Sequence, residues 1–413
     1  MLFRRGLASL GVTLSLLASL PAGAEKAAAP IGVALVDASI DTNHPSLQPY
    51  LDEAYFEPFL VMRNGRQSSL AALNRLLKLE YRKALASADP ALRTVMEDMN
   101  LAAQIEADPG CLPRLSAQEK TEYLAARGRL RDRELIAKAR THPAFNAYRA
   151  SLHGTHVASL LVKGLRPETR LLHVPYLVEN INPQLEDHGF LGFLSNLNQV
   201  FTNVDKALKR GNVRVVNVSA GLAVQPLTPA SDLIPDPTPL LFALLPLGPL
   251  VTAFNFKGLF VENEAALRRI ILSSIEDLTS KNPNTVFVFS AGNVRSDVST
   301  TKNDFVHLAR PNVLSVAALA RDGSIASFSN YSPEHIDVAA PGTCIRGARA
   351  GGGEMRVSGT SQATPIVANA LAKIFEENPD WSAETAMRHF LENVAKKDPM
   401  HDYTVRDGRV FTP

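Results

Sequence analysis

The segment IGVALVDASID, residues 31–41, begins with six uncharged residues and reaches a carboxylate at Asp37. An apolar run of this length, rich in β-branched side chains, predicts a strand buried on both faces of a parallel sheet. Similar runs recur at TRLLHVPYL (169–177), VRVVNVSAG (213–221), NTVFVFSAGN (284–293) and NVLSVAAL (312–319). The chain therefore repeats one kind of buried strand along its length.

Helical patterns alternate with these runs, over residues 153–163, about 264–280 and 361–376. Strand and helix in alternation predict an α/β fold, a doubly wound and mostly parallel sheet with helices on both faces. Folds of this class bind ligands beyond the carboxyl ends of their strands. Asp37 and Asn293 both follow such strand ends, so we expect them at the functional site.

The chain has 413 residues, of which 46% are hydrophobic, enough to bury a large core. Its formal net charge is only +2, from 43 basic and 41 acidic residues. This balance gives no electrostatic reason to expect binding to nucleic acid or to an anionic membrane surface. Function must therefore be inferred from individual sites.

The first residues are organised like a secretory signal peptide. Arg4 and Arg5 precede an apolar stretch over about residues 7–20, and Ala-Gly-Ala at 22–24 is a small-residue cleavage site. A membrane anchor is the alternative, but the stretch is short for a membrane span. We therefore expect residues 1–24 to be removed, residues 25–413 to form one domain, and the protein to be exported to the periplasm or the extracellular space.

Residues 52–147 have helical periodicity and predict a helical insertion in the α/β domain. A capping box at Ser116 and Glu119 marks the start of one of its helices. An apolar stripe earlier in the insertion consists of Leu70, Leu73, Leu77, Tyr81 and Ala84. We favour a helical segment that packs on the domain and exposes its polar faces to solvent over a dedicated partner-binding module. Because the insertion leaves the core soon after Asp37, we also expect it to overhang the site there.

A second insertion is predicted at about 222–262, which includes the uncharged stretch TPLLFALLPLGPLVTAFNF, residues 238–256. Pro239, Pro246 and Pro249 argue against a transmembrane helix, because proline interrupts helical hydrogen bonding. A lid or wall packed over the domain is the favoured interpretation. Contact with a membrane or a partner through 222–262 is the disfavoured alternative.

Two histidines lie three residues apart in SLHGTHVASL, residues 151–160. His153 and His156 could share one helix face and bind zinc, but no metalloprotease or paired-cysteine signature accompanies them. The favoured role for His153 is that of general base to a nucleophile elsewhere in the chain.

Cys111 and Cys344 are the two cysteines of the chain. Export to an oxidising compartment makes one disulfide between them possible without establishing it.

A candidate nucleophile lies in VSGTSQATPIVANALAKIF, residues 357–375. Ser361 stands among small residues at the start of an apolar helical pattern, where the helix dipole favours an oxyanion. The alternative is a serine that only caps the helix. Asp37 could orient the His153 imidazole, and the Asn293 amide could join the Ser361 N–H in binding an oxyanion. Together these groups supply the roles that acyl transfer requires.

The sequence resembles the subtilisin-like serine proteases. The blocks VDASID…HP, HGTHVAS, NVSAG, FSAGN, AAPG and SGTSQATP match that family in order, as does the chain order Asp, His, Ser. The resemblance implies a triad of Asp37, His153 and Ser361, with Asn293 as oxyanion donor and no cofactor. It also implies a peptide or protein substrate, paired with the edge formed by Ser219, Ala220 and Gly221. His156 is then a packing residue.

The sequence departs from the family pattern near the triad aspartate. Ala38 lacks a hydroxyl that would support the Asp37 carboxylate, and Ser39 occupies a turn position that suits glycine. Gln362 replaces the usual methionine beside Ser361. Ser46 stands where calcium-binding relatives have an aspartate, so we expect no tight calcium site and no other metal.

We therefore predict an exported serine endopeptidase that forms an acyl-enzyme on Ser361. The alternative is a catalytically inactive subtilisin-like binding or regulatory protein. The departures from the family pattern at Ala38 and Ser39 are the reason to consider it. An esterase is less favoured, because the edge-pairing segment suits a peptide backbone. Val294, next to Asn293, places an apolar side chain at the expected primary pocket and predicts apolar residues before the scissile bond.

Overall fold

The computed structural model describes residues 30–51, 60–63, 66–69, 88–106, 109–175, 201–202, 204–219, 264–300, 305–308 and 310–413. Its strands are β1 (Gly32–Asp37), β2 (Leu60–Arg63), β3 (Arg66–Ser69), β4 (Arg170–Pro175), β5 (Val213–Val218), β6 (Val286–Ser290), β7 (Val313–Leu319), β8 (Val338–Pro341), β9 (Ile345–Ala348), β10 (Glu354–Val357), β11 (Lys396–Lys397) and β12 (Arg409–Val410).

Eight of these strands form the central sheet, in the order β11-β12-β8-β7-β6-β5-β1-β4. Neighbouring strands are parallel throughout, except for the antiparallel pair β11 and β12. Each of the five apolar runs in the sequence forms a strand of this sheet, as predicted. β1 lies between β5 and β4, so Asp37 ends an interior strand whose neighbours point the same way.

The α-helices named here are α1 (Pro90–Glu106), α2 (Ala117–Arg129), α3 (Arg133–Thr141), α4 (Pro143–Leu161), α5 (Glu264–Lys281), α6 (Thr360–Glu377) and α7 (Ala383–His389). The apolar faces of α4 and α6 pack on the sheet, where Val157, Leu161, Val367 and Leu371 join one large buried cluster with the strand residues. The fold is the predicted doubly wound α/β fold, and α4 and α6 carry two of the candidate site residues.

The first insertion contains a helical unit with apolar clusters of its own. One cluster joins α1, α2 and the segment around Cys111, and the other joins α1 and α3 to Phe145 at the start of α4. The capping box at Ser116 and Glu119 is present. The insertion is not wholly helical, because β2 and β3 form an antiparallel pair that the periodicity did not indicate.

A disulfide joins Cys111 to Cys344, so the pairing that the sequence left open is formed. Cys344 is the residue outside the insertion that enters the buried cluster around Cys111. Glu119 of α2 also accepts a hydrogen bond from Arg356 of β10 at 2.9 Å. The insertion is thereby attached to the residue before β9 and to β10 itself.

Several predictions lie outside the described residues. These are the signal peptide at 1–24, the stripe from Leu70 to Ala84, the second insertion at 222–262, and the edge residues Ala220 and Gly221. In the part of the chain that the structure describes, no helix has both the length and the apolar character needed to cross a membrane.

Candidate active site

Asp37 and His153 are in direct contact. His153 Nδ1 lies 2.7 Å from Asp37 Oδ1, and the carboxylate side chain is 2% exposed while the imidazole is 36% exposed. Asp37 reaches this position from the end of β1, and His153 from the middle of α4. A buried carboxylate at this distance accepts the Nδ1 proton, so Nε2 is the acceptor nitrogen of the neutral imidazole.

Close packing of α4 against the end of β1 makes this contact possible. A Cβ atom on Gly154 would lie 2.5 Å from the Ser39 carbonyl oxygen and 2.8 Å from that of Ala38. Such distances are far below van der Waals contact, so only glycine fits after His153. The Gly in HGTH is therefore a packing requirement of the Asp37–His153 pair.

Ser361 lies in the first turn of α6, after the N-cap Gly359. Its side chain is largely buried, and its hydroxyl donates to the carbonyl of Ser219 at 3.2 Å. The Ser219 hydroxyl donates in return to the Ser361 carbonyl at 3.1 Å and accepts from Asn217 at 2.9 Å. β5 therefore fixes the backbone of Ser361, a role for Asn217 and for the Ser219 hydroxyl that the sequence did not indicate.

Asn293 is held beside Ser361 by Thr360. The Asn293 Oδ1 atom accepts both the Thr360 backbone N–H at 2.8 Å and the Thr360 hydroxyl at 3.0 Å. This arrangement assigns the carboxamide orientation, because Oδ1 must face the two donors and Nδ2 must face away from them. Nδ2 is thus left as a donor near the positive end of α6, a suitable place to stabilise an oxyanion.

His156 is a buried residue of the core. It is fully buried, and its Nε2 lies 3.0 Å from the Ile345 carbonyl. Burial lowers its pKa to about 4, because desolvation disfavours the imidazolium. Among the described residues, no group of three or more His, Cys, Asp or Glu side chains could hold a metal ion.

The departures next to Asp37 have different outcomes. The Ala38 N–H donates to Asp37 Oδ1 at 2.7 Å, whereas Oδ2 is buried and has no hydrogen-bond partner among the described residues. No described residue thus replaces the hydroxyl missing at Ala38. The expectation that the turn at Ser39 suits glycine is wrong: the φ of Ser39 is not positive, and its hydroxyl lies 2.9 Å from that of Ser151. A serine suits this turn because α4 offers it a partner.

The other predicted residues are placed as follows. Val294 is 77% exposed, and its N–H donates to Asn330 Oδ1 at 3.1 Å, so its side chain is available to a ligand beside Asn293. Gln362 is buried directly after Ser361, with its Nε2 unpartnered among the described groups. The Ser46 hydroxyl lies 2.8 Å from Nδ1 of His44.

The family model of the subtilases matches residues 29–408, nearly the whole chain. The chain belongs to the subtilase family. Subtilases are serine-type peptidases, and the resemblance found in the sequence blocks is thereby confirmed.

Individual relatives match this subtilase only over a short region. Subtilisin-like protease 1 from Arthroderma gypseum is 42% identical over 83 residues, which cover 20% of this chain and 16% of the relative. Subtilisin Savinase from Lederbergia lenta is 37% identical over 84 residues, covering 20% of this chain and 30% of the relative. The match spans less than a third of each relative's length.

Solved structures resemble this subtilase over more of its length but at low identity. The A-subunit of the AB5 toxin from E. coli is 17% identical with a TM-score of 0.47, covering 93% of this chain and 90% of that one. The self-cleaved protease domain of PatA is 20% identical with a TM-score of 0.44, covering 92% of this chain and 94% of that one.

Proposed function

We propose that this subtilase is an exported serine endopeptidase with Ser361 as nucleophile, His153 as general base and Asp37 as the carboxylate that orients it. The observation that carries the proposal is the 2.7 Å contact between Asp37 Oδ1 and His153 Nδ1 at the carboxyl end of β1, since Ser361 bonds to Ser219 at the carboxyl end of the neighbouring β5. An oriented base beside a helix N-terminus that bears a serine is the arrangement that acyl transfer needs.

In the proposed reaction, the Ser361 hydroxyl turns from the Ser219 carbonyl towards His153 and attacks the carbonyl carbon of the scissile peptide bond. Its proton passes to His153 Nε2, and the imidazolium is stabilised by Asp37. The oxyanion is bound by the Ser361 N–H and Asn293 Nδ2. When the C–N bond breaks, His153 gives the proton to the leaving amine, and water then hydrolyses the ester on Ser361.

The remaining parts of the proposal concern processing and substrate. We propose that residues 1–24 are cleaved on export, that residues 25–413 are the peptidase domain, and that Ser219, Ala220 and Gly221 pair with the substrate backbone. The sequence pattern of residues 1–24 supports the first point. The position of Ser219 directly after β5, beside Ser361, supports the last.

The test is labelling of the purified mature protein with a serine-directed fluorophosphonate, together with hydrolysis of a peptide library. We expect Ser361→Ala to abolish labelling and to lower hydrolysis by about 10⁶-fold, the order of loss known for removal of the nucleophile in subtilisin. Ser280→Ala, the same change at an exposed serine of α5, is the control and retains both activities. Equal labelling of the Ser361→Ala protein would refute the assignment.

A second candidate function is favoured by one observation, the Oδ2 atom of Asp37 beside Ala38, which has no hydrogen-bond partner among the described residues. A triad carboxylate with incomplete support suits a catalytically inactive binding or regulatory protein. In that case the wild-type protein binds peptides but reacts with no fluorophosphonate. The same labelling experiment therefore separates the two functions.

A further inference from the structure

A buried histidine on β4 contacts the segment that follows the triad aspartate. His173 pairs with Leu35 in the parallel register of β4 and β1, and its side chain is 1% exposed. Its Nε2 lies 2.7 Å from the carbonyl oxygen of Ala38. Because a carbonyl only accepts, Nε2 carries the proton and donates to Ala38.

The ionisation of His173 suits this donor role. Its pKa is lowered to about 4, mainly because burial disfavours the imidazolium, although the Ala38 and Asp37 backbone and the Asp37 charge act in the opposite direction. The ring is therefore neutral at pH 7. It can support Ala38 without placing a second positive charge beside the Asp37–His153 pair.

The Ala38–Ser39 segment is held on two sides. On the α4 side, the Ala38 and Ser39 carbonyls pack directly on Gly154, and the Ser39 hydroxyl meets the Ser151 hydroxyl at 2.9 Å. On the β4 side, His173 holds the Ala38 carbonyl. Since Gly154 follows His153, the placement of this segment sets the separation between the Asp37 carboxylate and the imidazole.

The Asp37 carboxylate depends on this segment for its support. Oδ1 accepts from the Ala38 N–H and from His153 Nδ1, each at 2.7 Å, and Oδ2 has no hydrogen-bond partner among the described residues. The Ala38 N–H is thus a principal anchor of the carboxylate. A rotation of the Ala38 backbone would move the carboxylate with it.

We propose that His173 is a positioning residue of the active site, which fixes the Ala38 backbone and through it the Asp37 carboxylate against His153. The proposal rests on the proposed function of Asp37 and His153. It assigns to β4 a role in the site that acts through the Ala38 backbone.

The experiment compares three variants of the full-length protein. His173→Leu removes the donor with little change in volume, whereas His173→Gln restores an N–H close to the position of Nε2. His401→Leu is the matched control, because His401 is likewise buried, at 2% exposed, but lies in the connection between β11 and β12, at the far end of the strand order from β4. Peptide hydrolysis gives kcat and KM, and proton NMR follows the downfield resonance of His153 Nδ1–H.

We expect His173→Leu to lower kcat by about 10- to 100-fold with KM unchanged, because a small displacement of a catalytic group costs rate rather than binding. The Nδ1–H resonance should shift or broaden in His173→Leu and return in His173→Gln. His401→Leu should change neither readout. If His173→Leu does not fold, His173→Asn replaces it, since its shorter amide does not reach Ala38.

Two results would overturn the proposal. One is a His153 Nδ1–H resonance that is the same in His173→Leu and the wild type. The other is a loss of kcat that His173→Gln does not restore, or that His401→Leu reproduces. The resonance needs no turnover, so a wild-type protein without peptidase activity refutes the proposed function and leaves the positioning role to be judged by NMR alone.

Discussion

Cys111 in the insertion is disulfide-bonded to Cys344, across 233 residues of sequence, and the Cys344 N–H donates to the Ser358 hydroxyl at 2.7 Å. Ser358 lies three residues before Ser361. The covalent link therefore ends at a residue that is hydrogen-bonded to the segment before α6, which ties the insertion to the helix that carries Ser361.

Reduction of this disulfide should destabilise the protein. A cross-link over so long a loop restricts the unfolded chain, and its loss costs about 2–5 kcal/mol of unfolding free energy. We expect a reductant to lower the melting temperature of the wild type and to leave that of the Cys111→Ala/Cys344→Ala double variant unchanged. A wild-type melting temperature that is the same with and without reductant would contradict this expectation.

Removal of the insertion should broaden the substrate range. If residues 52–147 overhang the cleft, large folded substrates are excluded, and a short linker in their place should raise casein cleavage without accelerating the hydrolysis of short peptides. The linker should replace residues 52–142, because α4 begins at Pro143. Cys344→Ser is made in the same variant, since the deletion removes Cys111, its disulfide partner. A folded variant with an unchanged ratio of casein to peptide cleavage would show that the insertion is peripheral.

The residue before the scissile bond should be apolar. Val294 presents a 77% exposed apolar side chain directly after Asn293, where it can contact that residue of the substrate. We expect a peptide-library profile dominated by apolar residues at this position, and a shift towards Lys and Arg in Val294→Asp. A wild-type profile dominated by Lys or Arg would be inconsistent with this role.

Chelators should have little effect on stability. Ser46 cannot supply the carboxylate that a hard cation prefers, and its hydroxyl already contacts His44. We expect the melting temperature to be unchanged by EDTA, because a metal stabilises only the state that binds it. A large fall that is reversed by added calcium would reveal a site that the sequence did not predict.

Acid should destabilise the protein between about pH 6.5 and pH 4. The pKa of His156 is lowered from 6.5 to about 4 in the folded state, so the unfolded chain takes up the proton first as the pH falls. Its contribution is fully present above pH 6.5, and about 3 kcal/mol is lost by pH 4. His156→Leu cannot titrate, so its unfolding free energy should fall less steeply over this range than that of the wild type. Parallel slopes in denaturant titrations would rule this out.

The sequence predicted the elements whose signal is local. A buried strand of a parallel sheet gives an apolar run in the sequence, and a polar residue at its end, such as Asp37, is recognised with it. The capping box at Ser116 and Glu119 could be predicted for the same reason, because its two residues are only three positions apart. The strand pair in the insertion was not, because four-residue strands leave too short a pattern to separate from helical periodicity.

What the sequence could not predict depends on contacts between distant segments. The partner that Ser39 finds in Ser151, the support that His173 gives Ala38, and the pairing of the two cysteines each join residues more than 100 positions apart. No periodicity encodes such contacts. The sequence places Ser219 after a strand end and thereby near the site. Its hydrogen bonds to Ser361 could be found only from the structure, because 142 residues separate the two serines.

The helix that carries His153 is continuous from Pro143 to Leu161, and Phe145 at its start packs in the core of the insertion. Each residue of an α-helix advances about 100° around its axis. Adding or deleting one residue between Phe145 and His153 would therefore turn the whole insertion by that angle relative to the imidazole. Length variation in related chains is expected in the connections between the insertion's helices, and the spacing from Phe145 to His153 is expected to be invariant.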